Sequence, residues 1–198
     1  MTVFFHGSFG LDRARMAQIL DLALANPEYT DKELAKPFGY GAPFASIYRS
    51  WLHKTGLSNL RRPVTLTDLG KVVLKHDKNL SAKPTLWFMH HQLSHTPVRA
   101  EAWHYFIHNF RAIHENFTAE DLRRGLIVQL SPHSMRHFGE DSKMVPVITR
   151  KLIECYTSEQ ALGPLGLVKE TETGHYVFPA VEIPEPCLET QSLKQDFA

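Results

Sequence analysis

Apolar residues recur every three or four positions along most of the chain, and polar breaks divide it into short helical stretches. Leu11, Ala14, Ile19, Leu22 and Ala23 share one side of a predicted helix over 11–25, with Asp12, Arg13, Arg15 and Asp21 on the polar side. Asn26-Pro27 ends it. Thr30 and Glu33 then have the spacing of a capping box, in which each side chain satisfies an orphan N–H at a helix entrance. They predict a short helix over 32–36, stopped by Pro37, with Gly39 and Gly41 supplying a turn. Pro43 suits the first turn of a second helix, where its missing N–H costs nothing. On that helix Phe44, Ile47, Tyr48, Trp51 and Leu52 form a buried stripe, while Ser46, Arg49, Ser50, His53 and Lys54 fall on the outward side. Gly56 fits the left-handed position that closes a helix. Residues 57–60, the basic turn Arg61-Arg62-Pro63 and the alternating run Val64-Thr65-Leu66 read as a two-stranded ribbon. Thr67-Asp68 open a further helix ending near His76.

The second half repeats the helical pattern with a different filling. Residues 77–84 are polar and carry Pro84, which predicts a boundary. An aromatic-rich buried helix over 85–94 is expected to stop at Pro97. Over 100–115, Trp103, Phe106, Ile107, Phe110 and Ile113 stand at core-helix spacing. Thr118 with the acidic residues Glu120 and Asp121 launches a helix to about Leu130. Residues 131–140 read as a loop, and 141–158 as a helix with Pro146 in its first turn. Residues 164–168 and 175–178 flank Glu-Thr-Glu-Thr-Gly and read as a short hairpin. The pattern therefore predicts a mainly α fold, an N-terminal winged helix-turn-helix followed by a helical subdomain with a short β-hairpin. The expected divisions are 1–80, 81–180 and an acidic tail over 181–198.

Composition narrows the class. Of 198 residues, 43% are hydrophobic and 22% charged, the balance of a water-soluble globular chain. No apolar run is long enough to span a bilayer, so no membrane role is expected. The start lacks the features of a secretory signal, and two cysteines far apart, Cys155 and Cys187, suggest a reducing compartment. The expected location is the cytoplasm. A net charge of +1 gives no chain-wide attraction to nucleic acid. Basic residues nevertheless outnumber acidic ones by more than two to one between Thr30 and Lys78.

Three constellations carry candidate chemistry. In a winged helix the second helix enters the major groove and the ribbon follows the backbone. Lys36, Tyr40, Ser46, Arg49, Ser50, His53, Lys54, Arg61 and Arg62 are then the candidate contacts to double-stranded DNA. The same module also serves as a protein-interaction surface, with these cations merely solvating a face. His91/His95 and His104/His108 are i, i+4 pairs that would bind a metal if their helices packed in register; core and cap histidines are the plainer account. His6 with Asp12, Arg13 and Arg15 would place an imidazole, a carboxylate and guanidinium groups at a helix start, where they would serve a phosphate; the plainer account is a structural loop, with Asp12 near the helix N-terminus where its charge is favourable. No phosphate loop, dinucleotide fingerprint or paired Cys-x-x-Cys is present.

With FHGSFGLDR, DKELAKPFGYGAPFASIYRSWLHKTGL, the step Leu66-Thr67-Asp68-Leu69-Gly70 and AEAWHYFIHNF in view, the chain resembles the SspB-type proteins, a bacterial domain-of-unknown-function family encoded beside DNA phosphorothioation genes. The match runs from about Phe4 to Phe178. It implies a DNA nicking endonuclease that cuts one strand so that sulfur replaces a backbone oxygen in anti-phage defence. The implied partners are a cysteine desulfurase, an ATPase and an ATP-pyrophosphatase-like component. Hydrolysing a phosphodiester in such a setting commonly enlists Mg2+ or Mn2+. No catalytic motif of the family transfers residue by residue, so the catalytic set His6, Asp12, Arg13 and Arg15 rests on clustering alone. Family members continue past the hairpin, which implies a short or truncated version here. The alternative is a non-catalytic adaptor that brings modification enzymes to DNA. A homodimer is expected only on general grounds for DNA readers.

Overall fold

The computed structural model describes residues 3–185, 193–195 and 197. Half of the expected acidic tail over 181–198 therefore lies outside the described residues. Backbone packing separates two compact units, residues 5–93 with 184–198 and residues 94–183 with 1–4. The described structure is mainly helical with one small antiparallel sheet.

The first unit begins with α1 (Arg13–Ala25), which Asp12 caps by accepting the Arg15 N–H at 3.0 Å. The helix thus starts two residues later than its apolar pattern predicts. Its buried side is Met16, Ala17, Ile19, Leu20 and Ala23, whereas Ala14 faces solvent. Leu11 is buried, but from the segment before the helix. The capping box forms at α2 (Asp31–Ala35): Thr30 N–H and hydroxyl both donate to Glu33 Oε2 at 2.7 Å. A single 3-10 turn over Lys36–Phe38 follows, closed by Gly39 at φ +73°. The long helix α3 (Ala42–Lys54) buries Phe44, Ala45, Tyr48, Trp51 and Leu52, with Ile47 only half-buried. The Trp51 indole N–H donates to the Phe9 carbonyl at 3.1 Å, which draws the N-terminal segment onto α3. The Phe9 ring packs edge-on against Phe44.

After α3 the chain turns at Gly56, whose φ of +77° is one that side chains resist. Ser58 and Leu66 then form an isolated antiparallel bridge, and the Asn59 N–H donates to the Thr65 carbonyl at 2.9 Å. The ribbon is thus closed at its base by one bridge rather than two full strands. Thr67 caps α4 (Asp68–His76) by accepting the Gly70 N–H at 2.9 Å. Asp77 accepts the Ala82 N–H at 2.8 Å and shapes the turn into α5 (Lys83–Ser94). From Thr85 onward α5 is buried except at Trp87.

In the second unit Pro97 opens α6 (Pro97–His104) instead of ending the preceding helix, because its fixed φ and missing N–H suit a first turn. A π-helical turn over Tyr105–Phe110 leads to the single turn α7 (Arg111–Ile113). The wider π turn breaks the 3.6-residue register. Trp103, Phe106, Ile107 and Phe110 remain buried, but Ile113 is 77% exposed and not in the core. A strand too short to carry a pattern, β1 (Asn116–Thr118), precedes α8 (Ala119–Leu130), where a Thr118/Asp121 capping box forms. The predicted loop after it is locally ordered, with a 3-10 turn over Ser131–His133 and α9 (Met135–Phe138) capped by Ser134. Then come α10 (Met144–Thr157), β2 (Lys169–Glu172) and β3 (His175–Val177). The sheet order is β1-β3-β2, all antiparallel. Glu170, Thr171 and Glu172, expected in the hairpin's turn, lie instead in its first strand, β2. The tighter turn centres on Gly174 at φ +78°. Phe106, Phe110, Phe117 and Phe178 pack together on the sheet side of this core.

Candidate nucleic-acid interface

In the first unit, α2, the turn to α3 and the ribbon bring the nine predicted contacts onto neighbouring elements, but not in one role. Arg49 is the most constrained. Its Nε and Nη2 donate to Asp31 Oδ1 and Oδ2 at 2.7 and 2.9 Å, and its Nη1 donates to the Leu60 carbonyl at 2.7 Å. The side chain is only 11% exposed. The bidentate fork that would suit a phosphate is thus already filled by a carboxylate. Arg49 therefore departs from the free outward cation that the sequence suggested.

Other members of the stripe are also engaged. The Ser50 hydroxyl donates to the Ser46 carbonyl at 3.1 Å. His53 Nδ1 lies 3.3 Å from the Ser58 carbonyl, an arrangement that uses the Nδ1–H tautomer. Lys54 Nζ sits over the Phe5 ring at 5.6 Å. Ser46, Ser50, His53 and Lys54 are all half-buried. By contrast Lys36, Arg61 and Arg62 are exposed. Tyr40 is 45% exposed and stacks on Phe44 with ring centres 4.5 Å apart. The outward chemistry is therefore an aromatic and a lysine in the turn before α3, and two arginines at the ribbon tip.

The members of the set His6, Asp12, Arg13 and Arg15 are each engaged within the first unit. His6 is 0% exposed, contacts the Gly7 carbonyl through Nδ1 at 2.9 Å and packs against Phe5. An imidazole so enclosed cannot serve a water or phosphate from solvent without local opening. Asp12 is the α1 cap, with Arg15 Nε 3.3 Å away. Arg13 donates to the Leu80 carbonyl at 3.2 Å. Arg15 lies over the Tyr40 and Phe44 rings at 6.0 and 5.8 Å. A hydrogen bond to Tyr48 raises the Arg15 pKa, and burial pushes the Tyr48 phenol up to about 12. Arg15 is thus tied to the aromatic cluster beneath Tyr40, a link that no sequence spacing announced.

The histidine pairs fit the plainer account. His91 stacks on Trp87 with centroids 5.9 Å apart. His104 Nδ1 lies 2.8 Å from the Ser94 carbonyl, and the His104 and His108 rings are 4.8 Å apart. Burial first, then the neighbouring His104, lowers the His108 pKa. Among the described residues no group of three or more His, Cys, Asp or Glu can hold a metal ion. In the second unit a cleft of about 490 Å³ is lined by Glu120, Arg123, Arg150, Glu154 and Tyr176 among others. Its arginines are already paired, Arg123 with Glu120 at 2.7 Å and Arg150 with Glu154 at 3.6 Å. Among the described residues no helix is long and apolar enough to cross a membrane.

The family described as a protein of unknown function, DUF4007, matches residues 5–185. No curated protein matches the chain. Two solved structures share its fold. One, titled a magnesium ion-bound SspB crystal structure, has a TM-score of 0.68 and 16% identity. The other, an SspB crystal structure, has a TM-score of 0.66 and 17% identity. Each alignment covers 93% of this chain, which spans 62% of the length of those SspB chains.

Proposed function

The chain belongs to the DUF4007 family of proteins of unknown function, and from that premise we propose that it is a DNA-binding component of a phosphorothioate modification system. Its first unit acts as a winged helix, with α1, α2 and α3 as the three-helix part and residues 57–67 as the wing. The observation that carries this reading is the ribbon. Its base is closed by Ser58/Leu66 and Asn59/Thr65, and its tip presents Arg61 and Arg62 to solvent. Two cations on a short strap beside a helix suit phosphates, which fix the register of a protein on a duplex. Lys36 adds a third cation, and Tyr40 an aromatic surface that can stack or hydrogen-bond.

The fold shared with SspB supports placing this binding in DNA phosphorothioation. There the chain delivers or admits the sulfur-handling enzymes, a cysteine desulfurase, an ATPase and an ATP-pyrophosphatase-like component, to a chosen backbone position. Strand cutting is the second reading, favoured by the magnesium-bound state of one SspB structure. A divalent ion held partly by DNA phosphates would act there as a Lewis acid on the phosphoryl oxygen. This chain's own residues supply the binding.

Incubating the purified protein with supercoiled plasmid and Mg2+ or Mn2+ separates the two readings. Salt-dependent retardation with intact supercoils supports the adaptor, and accumulating open circles support the nickase. A chain with no salt-dependent affinity for DNA contradicts both.

A further inference from the structure

Resting on the DNA-binding reading, we infer that Arg49 is a positioning residue and that Asp31-Arg49-Leu60 is a latch that sets the ribbon tip. Three elements meet at one guanidinium. Asp31 stands at the start of α2, Arg49 midway along α3 and Leu60 next to Arg61. Arg49 spends two donor atoms on Asp31 and a third on the Leu60 carbonyl, all within 2.9 Å. The Leu60 carbonyl belongs to the peptide unit that joins Leu60 to Arg61. Fixing it fixes the direction in which the tip leaves the ribbon.

The ribbon needs such a hold. Its base is secured by the Ser58/Leu66 bridge and by Asn59, whose N–H and side-chain amide both reach Thr65 at 2.9 Å. Between Leu60 and Val64 stand Arg61, Arg62 and Pro63, all exposed. Arg49 ties the start of that tip to α3, and Asp31 holds Arg49 at the required angle. The carboxylate is therefore useful to an anion-binding surface because it orients the strap that carries the cations.

This role makes a counter-intuitive prediction. Asp31→Ala removes a negative charge from a DNA-facing unit and leaves every cation in place. Electrostatics alone would tighten binding, and so would release of Arg49 as a direct phosphate ligand. A latch gives the opposite sign: the tip loosens and both arginines lose their phosphates. Each lost phosphate contact lowers the salt slope by about 0.9, so the slope falls by up to about 1.8. Affinity falls about fivefold or more at moderate salt.

The test is a double-mutant cycle on duplex binding, read as affinity against salt concentration, for the wild type, Asp31→Ala, Arg61→Ala/Arg62→Ala and their combination. Melting curves choose a temperature at which all four are folded. The latch predicts that Asp31→Ala weakens wild-type binding and reduces its slope, yet has no further effect once Arg61 and Arg62 are gone. A merely structural role for Asp31 gives additive losses and an unchanged slope, and overturns the inference. So does tighter binding by Asp31→Ala. If the wild type shows no salt-dependent binding, the DNA-binding reading falls and the latch falls with it. Salt-dependent binding with an additive cycle overturns the latch alone.

Discussion

The carbonyl oxygen of Leu57 occupies the place that a Cβ on Gly70 would take. The first turn of α4 thus rests directly on the backbone that leaves α3, and only hydrogen fits at position 70. Thr67, which caps α4, also donates from its hydroxyl to the Gly56 carbonyl at 2.6 Å. The ribbon is therefore gripped at its base by the helix that follows it.

Gly70→Ala forces this contact apart. Because the obstructing atom is backbone, no rotamer change relieves it, and the expected loss is at least the 1–3 kcal/mol typical of overpacking. Urea denaturation should show a lower midpoint with an unchanged slope. Equal stability of variant and wild type would contradict the close approach.

Alkaline pH should destabilise the chain. Burial pushes the Cys155 thiol from its ordinary 9.0 up to about 12 and the Tyr48 phenol from 10.0 up to about 12. Burial raises the Tyr156 phenol well above its ordinary value too. In each case the folded state keeps a proton that the unfolded state releases. Stability is then fully present below about pH 9 and declines as the pH rises toward 12. Each group contributes a slope of about 1.4 kcal/mol per pH unit while only its unfolded form is ionised. Denaturation midpoints from pH 8 to 11 check this, and Cys155→Ala should flatten the decline above pH 9.

His6→Ala separates packing from chemistry. The ring is completely buried beside Phe5 and in reach of Trp51, so its loss should cost about 2–4 kcal/mol, as large-to-small core changes do. DNA affinity per folded molecule should stay near that of the wild type. If plasmid nicking occurs, a stable His6→Ala protein that binds but no longer nicks would restore His6 to the chemistry.

Local signals were the legible part of this fold. Thr30 with Glu33, Pro43, Gly56 and Thr67 each mark a boundary through backbone hydrogen bonding or allowed φ, and each stands where those rules place it. Thr118 did the same for α8. What required the third dimension was the pairing of residues far apart in sequence. Asp31 looks like a first-turn acid and Arg49 like a surface cation until the approach of α2 to α3 joins them across 18 positions. His6 suggested chemistry because it precedes Asp12, Arg13 and Arg15 at a helix start, but its ring is fully buried, with Gly7 beside it at φ +52°. Ile113 followed the helical stripe in sequence, and the π turn before it carried it into solvent.

The salt dependence of duplex binding tests the central claim most directly. With the DNA-binding reading, log affinity falls linearly with log salt, and Arg61→Ala/Arg62→Ala lowers the steepness by about 1.8, at about 0.9 for each lost phosphate contact. Wild-type binding that is absent, or whose slope is the same in the double variant, would contradict the assignment of the ribbon tip to DNA.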